Sequence, residues 1–259
     1  MILRRLGNKK KIAKEIQKHF PKHRLYIEPF FGAGGMFFNK PKAKYNMLND
    51  LDSDVFNLFQ VVMNQKKELE NAFYVMPIHS DLLKYWKNNK ETEPIKKALR
   101  FLFLSNMTTN TTGDLRRNGF SKDKSICLNS ISNISEYLHK TNARFWNEDF
   151  RIFIDRIMLR GDERPLQDND TFIYCDPPYL GTANNYVSGF TENDSSDLFD
   201  CLVGKGVNFA MSEFDHPFIL EQAKQRNLNV IIIGERQNLK NRRTEILLTN
   251  YSNSQQSLF

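Results

Sequence analysis

The chain has 259 residues, 40% of them hydrophobic, and a formal net charge of +7. That length supports a large core, in one domain with an insertion or in two small domains. No apolar run approaches the roughly 20 residues of a membrane span, and Met1-Ile-Leu-Arg-Arg5 lacks the apolar centre of an export signal. Cys127, Cys175 and Cys201 show no metal-ligand spacing and are too few for a disulfide framework, so a reducing cytoplasm is expected. Basic residues gather near the N-terminus, at Arg116-Arg117 and between Arg236 and Arg243, which favours a polyanionic partner.

Arg4-Arg5-Leu6-Gly7-Asn8-Lys9 opens as a basic loop. It leads into a helix with apolar positions Ile12, Ile16 and Phe20, stopped at Pro21. Gly7 followed by cations at a helix start can hold a carboxylate. The stretch Leu25-Tyr-Ile-Glu28 then reads as a strand that enters a glycine-rich turn. Gly32, Gly34 and Gly35 let the backbone pass close to a ligand. A further short strand, beginning at Tyr45, ends in Asp50, about 20 residues beyond the glycines, where an acceptor for a ribose diol belongs. Phe37 stands where a dinucleotide fingerprint needs its third glycine, so a nucleoside cofactor without phosphates fits better than NAD.

Asp52 or Ser53 is expected to cap one helix carrying Val55, Leu58, Phe59, Val62, Leu69 and Phe73 on a single stripe. Another helix begins at Thr92-Glu93-Pro94 and buries Ile95, Leu99, Leu102 and Phe103. From Ser105 to Ser130 the composition turns to Ser, Thr, Asn, Gly and basic residues, with a hairpin-type turn at Asn118-Gly119. A surface loop is the plain reading. Asn110, Arg116, Arg117 and Asn118 are also the groups that contact base edges and phosphates, which favours a DNA-reading element.

A strand-like pattern resumes at Ala143 and leads into a helix with Phe150, Phe153, Ile154 and Ile157 inward. Asp149 at its start either caps that helix or accepts from an adenine amino group. Thr171-Phe-Ile-Tyr-Cys175 is a buried parallel strand halted by Asp176-Pro177-Pro178-Tyr179. Two prolines remove two backbone donors, so the chain neither continues the ladder nor starts a helix there. The strand end presents a carboxylate, the Pro177 carbonyl and an aromatic face. Two acceptors suit the two hydrogens of an exocyclic amino group, and Tyr179 suits a planar ring. A polar loop with Tyr186 follows, from Thr182 to Gly189. Beyond it come a helix at about Ser195–Leu202, a strand at Val207–Ser212, a helix near Pro217–Arg226 and strands at Asn229–Ile233 and Glu245–Tyr251. The alternation predicts an α/β fold with a doubly wound sheet, interrupted by a smaller module.

In this order the motifs resemble the Dam-type, D12-class adenine-N6 DNA methyltransferases, the alpha group of amino-methyltransferases. The resemblance covers most of the chain. It implies a Rossmann-like class I methyltransferase sheet, with an S-adenosylmethionine-binding catalytic domain at 1–55 and 145–259. It also implies an inserted, mainly helical target-recognition module at 56–144. Leu6, Gly7 and Lys9 resemble the motif beside the methionine end of the cofactor. Glu28, Phe30, Phe31, Gly32 and Gly34 resemble the glycine-rich cofactor motif. Asp50 matches the ribose-binding acid, and Asp149 with Phe150 the contact to the cofactor adenine. Asp176, Pro177 and Tyr179 match the catalytic signature, with Asp176 also against the cofactor. DNA contacts are expected from Arg4, Arg5, Asn110, Arg116, Arg117, Asn118, Tyr186, Asn241, Arg242 and Arg243. The implied partners are double-stranded DNA and, where the enzyme belongs to a restriction system, a cognate endonuclease, with neither metal nor membrane.

After Arg100-Phe-Leu-Phe-Leu104 the sequence departs from GATC-reading members. Only Arg116, Asn118, Gly119 and Phe120 echo their tyrosine- and arginine-rich stretch. Cytosine N4, RNA adenine and a glutamine amide also present an NH2 group, but Asp176 and the mid-chain insertion favour adenine in DNA. A non-catalytic DNA-binding regulator on the same scaffold is disfavoured by intact Asp50, Asp176 and Tyr179. The expected chemistry has Asp176 and the Pro177 carbonyl orienting the N6 lone pair, with the adenine flipped out of the duplex and stacked on Tyr179.

Overall fold

Alternate residues along the central strands are apolar on both faces, so the sheet must be covered on both sides. The computed structural model describes residues 2–3, 9, 12–109, 113–116, 120–159, 166–180, 189–237 and 242–252. Among them, seven strands form one sheet: β1 (Leu25–Glu28), β2 (Tyr45–Asn49), β3 (Ala143–Trp146), β4 (Thr171–Cys175), β5 (Asn208–Phe214), β6 (Asn229–Gln237) and β7 (Arg242–Thr249). Their order is β3-β2-β1-β4-β5-β7-β6, and β7 runs antiparallel to both of its neighbours. This is the Rossmann-like α/β sheet expected from the sequence. The helices are α1 (Ala13–Gln17), α2 (Ser53–Asn64), α3 (Lys66–Val75), α4 (Ser80–Asn88), α5 (Pro94–Met107), α6 (Phe120–Lys140), α7 (Phe150–Asp155), α8 (Glu192–Lys205) and α9 (Pro217–Gln225).

One face of the sheet, with Tyr26, Leu48, Phe172 and Tyr174, shares a core with α1 to α6. The other, with Ile27, Ile173, Cys175, Phe209 and Met211, is covered by Phe153, Leu198 and Ile219 of α7, α8 and α9. From β1 the chain winds outward to β2 and β3, then returns to β4 and winds the other way. The switch therefore falls between β1 and β4, and their carboxyl ends open side by side, where such sheets bind ligands.

Four local expectations are corrected. The single stripe from Val55 to Phe73 is two helices, because Gln65 leaves helical geometry at φ −135° and ψ 38°. Helix α4 was not foreseen; His79 caps it, and it buries Leu83 and Trp86. The polar region between Ser105 and Ser130 is largely helical, since α5 runs to Met107 and α6 starts at Phe120. Cys127, Ile131, Ile134 and Leu138 give α6 a buried stripe, and that packing outweighs the weak helix propensity of its Ser and Asn residues. Finally, α1 stops at Gln17, and Phe20 instead packs its ring against Phe172 and Tyr174, at 4.6 and 5.4 Å. The Asn118-Gly119 turn lies outside the described residues. No described helix is long and apolar enough to cross a membrane.

Candidate active site

The turn after β1 is shaped by two left-handed glycines, Gly32 (φ 55°) and Gly34 (φ 69°). It brings the Gly32 amide to Asp50, donating to Oδ2 at 2.6 Å, while Asp50 Oδ1 accepts the Asp52 amide at 2.9 Å. Asn49 ties this turn to the end of β3. Its Nδ2 donates to the Pro29 and Glu148 carbonyls at 3.0 and 2.9 Å, and its Oδ1 accepts the Glu148 amide at 3.0 Å. The strand ends are thus locked by side chains before any ligand arrives.

A cleft of about 490 Å³ opens on this edge. Its walls include Lys9, Glu28, Phe30, Phe31, Gly32, Asp50, Asp149, Phe150, Asp176 and Phe190, so predicted residues from five separate stretches meet there. The lining holds nine acidic and five basic side chains, in a protein whose overall charge is +7. Glu28 lies at its base, accepting the Tyr26 hydroxyl at 2.8 Å, and burial pushes its carboxyl well above the ordinary range. At one end, the rings of Phe30, Phe150 and Phe190 lie 5.5 to 6.0 Å apart. Phe190 was not anticipated, because it follows a polar loop with no periodic pattern.

Asp149 caps α7, accepting the Arg151 amide at 2.9 Å. Arg151 in turn bridges Asp149, Asp194 and Asp197 at 3.2, 2.6 and 2.7 Å, clamping the starts of α7 and α8 together. Among the described residues no group of three His, Cys, Asp or Glu side chains is placed to hold a metal ion.

At the end of β4, Asp176 faces a buried lysine. Lys9 Nζ lies 2.8 Å from Asp176 Oδ1 and 3.1 Å from Glu245 Oε1, and it donates to the Tyr179 hydroxyl. That hydroxyl donates to Glu245 Oε1 at 2.6 Å. The Tyr179 ring meets Phe214 edge-on at 4.6 Å, with Lys9 Nζ 4.2 Å from its centroid. Beyond it, the Leu180 amide donates to Glu213 Oε1 at 2.8 Å. Burial raises the Glu213 carboxyl to about 9. Pro177 is buried. Lys9, expected beside the methionine end of a cofactor, therefore also sits on the carboxylate at the strand end.

Sequence reading missed Glu213 and Glu245. The available signal was a lone acid beside apolar strand residues, in Phe209-Ala-Met-Ser-Glu-Phe214 and Glu245-Ile-Leu-Leu248. Of the predicted DNA contacts, Arg116 is tied inward to the Asn106 carbonyl and Asp123. Arg243 donates to the Leu180 carbonyl at 3.4 Å and lies 5.4 Å from the Phe214 ring. Arg4, Arg5, Leu6, Gly7, Asn110, Arg117, Asn118, Tyr186 and Asn241, and the Arg242 side chain, lie outside what is described.

Residues 6–244 match the D12 class N6 adenine-specific DNA methyltransferases. The chain belongs to that family. It is 27% identical to the type II methyltransferase M1.LlaDCHI of Lactococcus lactis subsp. cremoris, over 95% of this chain and 94% of that protein. It is 26% identical to a DNA adenine methylase of Vibrio cholerae, over 87% and 85% of the two chains. Against the DNA adenine methylase of Escherichia coli K12 the identity is 25%, over 87% and 84%. The protein is an adenine-specific DNA methyltransferase, which places a methyl group on N6 of adenine within a DNA site.

Proposed function

We propose that this methyltransferase draws its methyl group from S-adenosylmethionine held in the acidic cleft. The acceptor is an adenine flipped out of duplex DNA and received by Asp176, Pro177 and Tyr179. The observation carrying this reading is the Asp176 carboxylate at the end of β4, beside a cleft whose acidic lining opposes the charge of the whole chain.

The residues fit that cofactor. Its sulfonium and amino groups are cationic and it has no phosphates, in keeping with nine acidic lining residues against five basic ones. A Cβ at Gly32 would meet nothing within 4 Å, so the bare glycine leaves open space at the cleft wall for a close approach. A carboxylate has about four acceptor sites, so Asp50 can hold a ribose diol as well as its two amides. Phe30 and Phe150, with Phe190, offer apolar faces for the adenine, and Asp149 stands at the same end. Lys9 and Glu28 lie toward Asp176 and suit the methionine end, along with Leu6 and Gly7.

Bound there, S-adenosylmethionine supplies an electrophilic methyl group. An adenine N6 lone pair is delocalised into the ring and is a poor nucleophile. Asp176 accepts one N6 hydrogen and the Pro177 carbonyl the other, which aims the lone pair and stabilises the positive charge that develops on nitrogen. Holding the two reactants in line removes much of the remaining barrier. Tyr179 gives the flipped base a stacking face, which offsets the few kcal/mol spent on unstacking it. Arg4, Arg5, Asn110, Arg116, Arg117, Asn118, Tyr186, Asn241, Arg242 and Arg243 are assigned to phosphate and base contacts. The similarity to a type II methyltransferase supports a cognate restriction endonuclease as a further partner. Similarity to bacterial DNA methylases supports work in the cytoplasm, where the DNA is.

The test is expression in a strain without adenine methylation, followed by mapping of modified bases by single-molecule sequencing. N6-methyladenine in one short motif is expected from the parent protein. Asp176→Ala is expected to leave the genome unmarked while still binding S-adenosylmethionine. Continued marking by that variant would remove Asp176 from the role assigned.

A further inference from the structure

Glu213 on β5 and Glu245 on β7 are each only 1% exposed, and Lys9 only 3%. Burying an ion costs several kcal/mol unless partners compensate it, and the chemistry proposed above makes no use of either glutamate. A role is visible in what they hold. Glu245 Oε1 is the point at which two active-site donors converge, Lys9 Nζ at 3.1 Å and the Tyr179 hydroxyl at 2.6 Å. The same ammonium sits 2.8 Å from Asp176 Oδ1 and also donates to the Tyr179 hydroxyl. Lys9, Tyr179 and Glu245, from three distant stretches, thus close a compact loop of hydrogen bonds that Lys9 links to Asp176 at the strand end.

We propose that Glu245 is a positioning residue for methyl transfer, which fixes the Lys9 ammonium against Asp176 and so sets the orientation of the carboxylate that receives the N6 hydrogen. The inference rests on the role given to Asp176 above. A lysine ammonium on a flexible four-carbon stem has many positions open to it. With Asp176 and the Tyr179 hydroxyl as its only partners, the ammonium would be tied to one stretch alone and would move with it. Glu245 supplies the second anchor from a rigid place: β7 is paired with β5, with Glu245 in register with Phe214, and Phe214 packs against the Tyr179 ring. Glu245 also divides the ammonium's charge between two carboxylates. Without that second carboxylate, the ammonium's charge would fall on Asp176 alone and compete more strongly with the adenine hydrogen for it. Glu213 complements the arrangement by holding the Leu180 amide, which stops the backbone beyond Tyr179 from shifting.

The experiment compares Glu245→Leu, Glu245→Gln, Lys9→Met and the double variant Lys9→Met/Glu245→Leu, with Asp176→Ala alongside. Single-turnover methylation of a duplex oligonucleotide gives the rate, and calorimetry with S-adenosylmethionine gives the folded, cofactor-competent fraction. A misplacement of an ångström can cost about 100-fold in rate, so Glu245→Leu is expected to lose about that much at saturating cofactor, with DNA KM nearly unchanged. Glu245→Gln keeps a carbonyl acceptor and is expected to recover about 10-fold of the loss. The double variant should lose less than the product of the two single losses, because Glu245 acts through Lys9. Parent-like rates in folded Glu245 variants, multiplicative losses, or a loss confined to KM or cofactor affinity would each overturn the inference. If Glu245→Leu does not fold, the rate of Glu245→Gln decides. Asp176→Ala separates the two levels: an active variant overturns the Asp176 assignment, whereas an inactive one beside fully active Glu245 variants overturns only the role of Glu245.

Discussion

The two glycines of the β1 turn should respond to the same substitution in opposite ways. Both are left-handed, at φ 55° for Gly32 and 69° for Gly34, so alanine at either costs about 1–2 kcal/mol of backbone strain. Their surroundings differ. A Cβ at Gly34 would stand 2.6 Å from Phe38 Cδ2 and 2.7 Å from Phe31 Cζ, inside the aromatic cluster on the α2 side of the sheet, whereas one at Gly32 would meet no atom within 4 Å. Overpacking a core adds about 1–3 kcal/mol, which brings Gly34→Ala to about 2–5 kcal/mol. At about 2–4 °C per kcal/mol for a chain of this size, Gly34→Ala should lower Tm by on the order of 10 °C, and Gly32→Ala by only about 2–8 °C. Cofactor binding should invert the order, because the new methyl of Gly32→Ala would occupy open space at the cleft wall. Differential scanning calorimetry and titration with S-adenosylmethionine measure the two effects on the same samples. If Gly32→Ala proved the less stable variant, or bound cofactor as well as the parent, the division of labour between the glycines would be wrong.

Glu213 carries a pH signature. Its folded carboxyl holds a proton up to about 9, whereas an unfolded glutamate releases it near 4.5, so the folded state binds more protons across that window and stability falls as pH rises through it. Glu213→Gln removes the dependence; its advantage over the parent should be absent below pH 4.5 and reach on the order of 3 kcal/mol at pH 7, as read from urea midpoints at several pH values. A constant difference across that range would contradict the assignment. Tyr174→Phe deletes a buried hydroxyl 2.8 Å from Ser212 Oγ and should cost about 1–3 kcal/mol without changing the methylation rate. An altered rate in that variant would extend the working site deeper into the sheet than described. Phe59→Ala should cost about 3–5 kcal/mol and weaken cofactor binding as well, because the ring lies against Phe31 of the glycine turn at 4.9 Å. Unchanged cofactor affinity in folded Phe59→Ala would show that the turn does not depend on this support.

The sequence displayed the parts of the site that arise from local rules. A strand run into glycines, an acid after the next strand and a proline-stopped strand ending in Asp176 are each set by a few neighbouring residues, and the alternation of strands and helices then brings them to one edge. The insertion was harder to read for the opposite reason. Whether Ser105 to Ser130 is loop or helix depends on a partner surface, and α6 forms because Cys127 and Ile131 meet a core built from distant residues. The split at Gln65 and the presence of α4 depend likewise on packing that local periodicity does not encode. The Lys9, Tyr179 and Glu245 cluster joins positions 170 and 66 residues apart, and no local pattern could have joined them. Only the oddity of an acid beside apolar strand residues was visible.

The aromatic cluster shows why helices α2 and α6 and the glycine turn after β1 must be considered as one mechanical unit. Phe59 of α2 stacks on Phe145 of β3 at 5.3 Å with only 5° between planes, and Phe31 of the glycine turn meets both rings edge-on at 4.9 and 5.1 Å. Phe38 lies between Phe31 and Tyr137 of α6, at 5.9 and 5.7 Å. Close-packed interiors do not deform gradually, so a displacement of α2 or α6 bears directly on the turn that shapes the cleft wall. Polar contacts follow the same path: Lys97 and Arg100 of α5 face Asp54 of α2 at 3.5 and 3.6 Å, and all three line the cleft. Helices α2 to α6 and one face of the sheet share one core, so the walls of the cleft are carried on a single packed framework.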